Sequence, residues 1–87
     1  MKALHYSSQF KKDFKHIKHQ PAKIAKLLEI LRLLENEEPI PEENNPHPLH
    51  GNYKGCMECH VESDTLLIWI DDEAIDLLRL GSHSELF

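Results

Sequence analysis

Residues 56–80 read CMECHVESDTLLIWIDDEAIDLLRL, and the alternation within them decides the fold. In an extended chain Met57, Cys59 and Val61 point one way, while Cys56, Glu58, His60 and Glu62 point the other. One face of this strand is apolar and the other carries chemistry. Thr65 to Ile70 is an apolar run of strand length, and Ala74 to Leu80 is its hairpin partner across Asp71, Asp72 and Glu73. Gly81 breaks the pattern before a short tail, SHSELF. Upstream, Pro39, Pro41, Pro46 and Pro48 fix φ and remove amide donors between Glu37 and Asn52, which predicts a stiff loop. Further upstream the period becomes helical. Phe10, Phe14 and Ile17 form one buried stripe after an N-cap at Ser7 or Ser8, with Lys11, Lys12, Lys15 and Lys18 at the remaining positions. Pro21 suits the first position of a second helix, in which Ile24, Leu27, Leu28, Leu31 and Leu34 recur. Lys2 to Tyr6 reads as a strand. The prediction is an α+β domain over residues 1–87, ordered β-α-α-β-β-β, with two N-terminal helices packed on one face of a small, mostly antiparallel twisted sheet.

Length and composition agree with one domain. At 87 residues and 10.2 kDa, the chain buries roughly 60% of its unfolded surface, so its chemistry belongs on the surface or in a shallow cleft. No apolar run approaches the roughly 18 residues of a membrane span, and MKALHYSSQF lacks the apolar stretch of a secretory signal. A cytoplasmic protein without a membrane partner is expected. The net charge of −5 argues at first against nucleic acid. It is unevenly distributed, however: residues 1–32 hold eight Lys or Arg against Asp13 and Glu29, a net of +6, and the rest holds Lys54 and Arg79 against thirteen acids, a net of −11. The helical part is locally basic.

Cys56-Met57-Glu58-Cys59-His60 matches the C-x-x-C-H pattern of haem attachment and suggests zinc as well. Strand geometry argues against both, because side chains three apart on a strand face opposite ways. The expectation is a small buried Cys59, a half-exposed Cys56, and no cofactor or metal.

Seven histidines are present. His5, His16 and His19 lie in the basic third and read as surface groups or phosphate contacts. His47 sits between Pro46 and Pro48, His50 precedes a glycine, His60 is on the polar strand face and His83 is in the tail. With Asp64 and Arg79 they supply what RNA backbone cleavage needs: a base for the ribose 2′-OH, an acid for the leaving 5′-oxygen, and a cation beside the phosphate. Imidazole suits both proton transfers near neutral pH, with no metal required.

The string HPLHGNYKGCMECHVESDTLLIWI, the closing LLRLGSHSELF and the early YSSQFKKDFK together resemble the YafQ branch of the RelE/ParE toxin superfamily, across essentially the whole chain. The resemblance implies a RelE-like fold and a ribosome-dependent endoribonuclease, or mRNA interferase, that cuts A-site mRNA, inhibits translation and is held inactive by a cognate antitoxin. It places the acid–base cluster on His47, His60, Asp64 and His83. Within that cluster the expected roles are His83 as general acid, Asp64 with His47 as the base side, and His60 orienting the phosphate. Glu58 takes a supporting acidic position, Arg79 the phosphate-contacting arginine and Phe87 the closing aromatic. The resemblance also offers Lys11, Lys12, Lys15, Lys18, Lys23, Lys26 and Arg32 as rRNA contacts.

This chain departs from that branch in its acidic second part, and in Cys56 and Met57, which stand where a basic residue is usual after the Lys-Gly pair. Two competing readings follow: a non-catalytic binding module of the same fold, and a ParE-like gyrase inhibitor. The second has no use for the histidine set.

Overall fold

The Ser7 hydroxyl accepts the backbone N–H of Phe10 at 3.0 Å and donates to the Leu78 carbonyl, also at 3.0 Å. It therefore starts α1 (Ser8–Lys15) and ties that start to the sheet. The computed structural model describes residues 1–87 throughout. α1 ends two residues before Ile17, which remains buried in the following turn, so Lys18 lies in that turn rather than on a helix. Pro21 opens α2 (Pro21–Glu35), which buries Leu27, Ile30, Leu31 and Leu34. No helix is long and apolar enough to cross a membrane.

The remaining strands and α-helix are β1 (Leu4–Tyr6), β2 (His47–Pro48), β3 (Met57–Glu62), β4 (Thr65–Asp71), β5 (Ile75–Gly81) and α3 (His83–Leu86), with 3₁₀ turns at Glu42–Asn44 and Gly51–Tyr53. They form a five-stranded sheet in the order β1-β5-β4-β3-β2, with β1 parallel to β5 and every other pair antiparallel.

Two elements go beyond the expected order. The stiff loop contains β2, where His47 pairs with Glu58 and Pro48 with Met57; a two-residue edge strand flanked and occupied by proline has no periodicity to read. The tail is helical. Ser82 accepts the Glu85 N–H while the Glu85 carboxylate accepts the Ser82 N–H, a capping box that the S-x-x-E spacing encodes.

The core lies on both faces of the sheet. On one face α1 and α2 pack through Phe10, Leu27, Ile30, Leu31 and Leu34 onto Cys59, Val61, Leu67, Trp69, Ile75, Leu77 and Leu80. On the other, a smaller cluster of Cys56, Leu66, Ile68 and Leu86 is flanked by Leu49, Tyr53, Ile70 and Leu78. Cys59 and Cys56 thus belong to opposite faces, as strand alternation requires. The expected half-exposure of Cys56 is corrected: it is buried, because α3 and the segment around Tyr53 cover that face.

One register shift falls beside Arg79. Trp69 pairs with Leu77 but Ile68 pairs with Arg79, which leaves Leu78 as an extra residue on β5. Leu77 and Leu80 both join the helix-side core, while Leu78 packs on the other face and Arg79 pairs with a residue of that face.

Candidate active site

Strand pairing arranges the candidate residues in rows on the face opposite α1 and α2. The first row runs His47, Glu58, Ile68, Arg79 across β2, β3, β4 and β5. At about 4.8 Å per step, the backbones of His47 and Arg79 stand roughly 14 Å apart. The second row runs His60, Leu66, Gly81, about 7 Å farther along the strands. Beyond it lie the β3–β4 turn with Asp64 and the start of α3 with His83. The second row and the turn lie at one end of the sheet, and the first row crosses the middle of β4.

In the first row, His47 is held from both sides. Its Nε2 lies 3.0 Å from Oε1 of Glu58 and its Nδ1 lies 2.7 Å from the carbonyl of Asn45. Asn45 adopts a left-handed conformation, φ 49°, which asparagine tolerates better than most residues. Glu58 is 5% exposed, and its Oε2 is buried without a partner. Both ring nitrogens are therefore already engaged by oxygen atoms of the chain.

His60 is half-buried on β3, and its carbonyl accepts the Asn44 side-chain amide at 2.7 Å. A β-bulge follows immediately between His60 and Glu62. Asp64 is exposed, and its Oδ1 accepts the backbone N–H of His83 at 3.5 Å, linking the β3–β4 turn to α3. The His83 ring stands 5.0 Å from the Phe87 ring, and Phe87 packs edge-on against Tyr53 at 5.4 Å. The Tyr53 hydroxyl donates to the Leu86 carbonyl at 3.3 Å. Backbone and side-chain hydrogen bonding at Ser82 holds the Glu85 carboxyl below its ordinary range, so the cap stays charged. Gly81 lets α3 sit close, since a Cβ there would meet Glu85 Oε1 at 3.1 Å and Leu86 Cδ2 at 3.4 Å.

Arg79 is tied to α1. Its Nε donates to Asp13 Oδ2 at 2.9 Å and its Nη2 to Asp13 Oδ1 at 3.4 Å. Asp13, 5% exposed, also accepts the Leu80 backbone N–H at 2.9 Å and the Gln9 amide at 3.1 Å. Burial alone would raise the Asp13 carboxyl; the bonds from Arg79, Leu80 and Gln9 outweigh it and hold the group below its usual range. The hydrogen bond to Asp13 in turn raises Arg79.

The basic residues are distributed unequally. Lys11, Lys12 and Lys15 on α1, Lys18 in the turn and Arg32 on α2 are exposed. Lys23 and Lys26 face Glu62 at 3.8 and 3.4 Å, so their charge is partly matched within the chain. No group of three or more His, Cys, Asp or Glu side chains is arranged to hold a metal ion.

Sequence reasoning passes over Asp13, Tyr53 and Asn44. Tyr53 stands within the HPLHGNYKG string without a role. Asp13 has a signal too, as one of only two acids in an otherwise basic segment.

The two longer helices on one face of a small sheet, with imidazoles, carboxylates and the short α3 on the other, make up the architecture of a RelE-like toxin. Residues 2–87 match the family described as the bacterial toxin of type II toxin–antitoxin systems, YafQ. The chain belongs to that family. It is 36% identical over 86 residues to the mRNA interferase toxin YafQ of Escherichia coli K12, covering 97% of this chain and 94% of that one. Among solved structures it superposes on YafQ from E. coli BL21(DE3) with a TM-score of 0.90 and 34% identity, covering 100% of this chain and 99% of that one. A copper-bound mutant toxin from Helicobacter pylori gives 0.91 and 36%, with 100% of both chains covered. The E. coli DinJ–YafQ toxin–antitoxin complex gives 0.87 and 35%, covering 99% and 97%.

Proposed function

We propose that this chain is the toxin of a type II toxin–antitoxin pair, an mRNA endoribonuclease that acts on ribosome-bound message in the cytoplasm and is silenced by a cognate antitoxin. Its relative of 36% identity is named an mRNA interferase toxin, and a relative of 35% identity is described in complex with an antitoxin. The observation that carries the chemistry is the row arrangement, which puts His47, Glu58, His60 and Arg79 on one sheet face, next to Asp64 and His83.

The 2′-oxygen attacks the adjacent phosphorus, a P–O2′ bond forms and the P–O5′ bond breaks. His83, exposed at the start of α3 beside the Phe87 ring, delivers the proton to the leaving 5′-oxygen. Asp64 takes the 2′-OH proton, and His60 orients the phosphate. The base role expected of His47 passes to Asp64, because both nitrogens of the His47 ring already face oxygen atoms of the chain; His47 holds the β2 side of the site with Glu58, and Arg79 is the cation beside the phosphate. Phe87, 54% exposed, offers a ring for a nucleobase to stack on. Lys11, Lys12, Lys15, Lys18 and Arg32 supply the rRNA contact, with Lys23 and Lys26 contributing less because Glu62 faces them.

Primer extension on a translated message tests the reading. Wild-type protein cuts within codons, and His83→Ala removes the cut; an undiminished cut by His83→Ala overturns the assignment.

A further inference from the structure

Asp13 lies outside the histidine group, yet it is one of two buried carboxylates in the chain and accepts four hydrogen bonds. Two belong to Arg79. A guanidinium has two forked edges, one formed by Nε–H with one Nη–H, the other by the two outer Nη–H groups. Asp13 occupies the first, through Nε and Nη2. The second edge meets no carboxylate, although the Tyr53 hydroxyl lies beside the guanidinium, and it is the edge left for another planar anion.

We infer that Asp13 is a positioning residue, which clamps the Nε edge of Arg79 so that its terminal Nη edge meets the scissile phosphate in one orientation. The inference rests on the proposed RNA cleavage. Three observations support it. Beyond the end of β1, α1 covers the edge of β5, and Asp13 accepts the edge N–H of Leu80, immediately after Arg79. The carboxylate is therefore fixed to the same stretch of backbone as the guanidinium it holds. The Gln9 amide braces it from one turn earlier on α1. Saturating the Leu80 N–H needs only a neutral acceptor, whereas a bidentate grip on a guanidinium is what a carboxylate does best. Arg79 itself sits beside the extra residue in β5, where regular alternation is interrupted, so its direction needs a second constraint, which Asp13 supplies.

A double-mutant cycle on single-turnover cleavage of ribosome-bound mRNA is the test, using the full chain at a temperature where each variant is folded by circular dichroism. Asp13→Asn keeps one neutral acceptor for Leu80 but loses the negative charge and the second oxygen of the fork. It should slow cleavage about tenfold, as expected for a misdirected catalytic group, with ribosome affinity unchanged within about twofold. In an Arg79→Ala background the same substitution should change nothing further. Should Asp13→Asn melt below assay temperature, Gln9→Ala, which removes only the brace, should give a smaller loss that likewise vanishes with Arg79→Ala. Equal losses in both backgrounds, or none in either, would make Asp13 merely structural and overturn the inference. Normal cleavage by Arg79→Ala would overturn it as well, while leaving the proposed nuclease intact as long as His83→Ala is inactive.

Discussion

His47 Nε2 stands 3.0 Å from Glu58 Oε1, and the other carboxylate oxygen of Glu58 is buried with no partner at all. The pair is thus unbalanced: one oxygen fixes the imidazole ring, and the other carries an unmet desolvation cost. Glu58→Gln should separate activity from stability. Cleavage should fall about tenfold as the anchored ring is loosened, while the melting temperature stays level, because an amide oxygen still offers the ring an acceptor and the unpartnered anionic oxygen is gone. Thermal melts alongside single-turnover cleavage check it, and a lowered melting temperature with full activity would refute this account of the pair.

Phe87 is 54% exposed and meets Tyr53 only edge-on, so truncating it should leave the fold intact. Phe87→Ala should instead weaken engagement of the message by about 1–3 kcal/mol, the usual worth of one base stacked on an aromatic ring. Cleavage rates measured against ribosome-bound message concentration should show the effect as weaker binding, and Phe87→Trp should restore it.

Asp13 sets an acid limit on stability. Its folded-state carboxyl lies below the ordinary value, against the upward push of burial, because Arg79, Leu80 and Gln9 donate to it. The stability it contributes is therefore complete above the unfolded carboxyl range, near pH 4, and is lost as pH falls through the lower folded value. Urea unfolding at pH 6 and pH 3 should show a midpoint drop that is smaller in Asp13→Asn than in wild type.

Neither cysteine should react in the folded protein. Burial, reinforced by the Glu58 charge, pushes the Cys59 thiol up to about 12, and burial raises Cys56 as well. Thiolate is the reactive form, so iodoacetamide at pH 8 should leave the native chain unmodified by mass spectrometry and add two labels after denaturation.

If α1 meets rRNA, ribosome binding should weaken steeply with salt. Reversing Lys11, Lys12 or Lys15 should flatten the slope of log affinity against log salt by about 0.7–0.9 for each lost phosphate contact. Reversing Lys26, which faces Glu62 at 3.4 Å, should flatten it less.

The helices and the central hairpin are legible in the sequence because their signals are local: the Phe10–Phe14 stripe, Pro21 at a helix start, and the alternation from Cys56 to Glu62. That alternation also separates the two cysteines onto opposite faces, which is what the haem and zinc patterns cannot accommodate. What stays hidden depends on distant partners. β2 is too short and too proline-rich to have a period, and it exists only because β3 pairs with it. The burial of Cys56 is set by a tail whose helical nature is written in Ser82 and Glu85, though it reads as an unstructured end. Asp13 looks like an exception in a basic helix; its meaning lies 66 residues away at Arg79.

The extra residue in β5 bears on how chains of this kind are to be compared with one another. Leu78 is surplus to the ladder: were it deleted, strict alternation would carry Leu77, Arg79 and Leu80 into the places they already hold, inward, outward and inward. A chain one residue shorter here would keep the guanidinium in place, provided that another carbonyl took the Ser7 hydroxyl now held by Leu78. An alignment drawn through the hairpin without a gap would then set the arginine of one chain against a packing leucine of another. Matching positions by ladder partner, here the residue opposite Ile68, avoids that error. A homologue that seems to have lost this arginine should be checked in that way before it is counted as inactive.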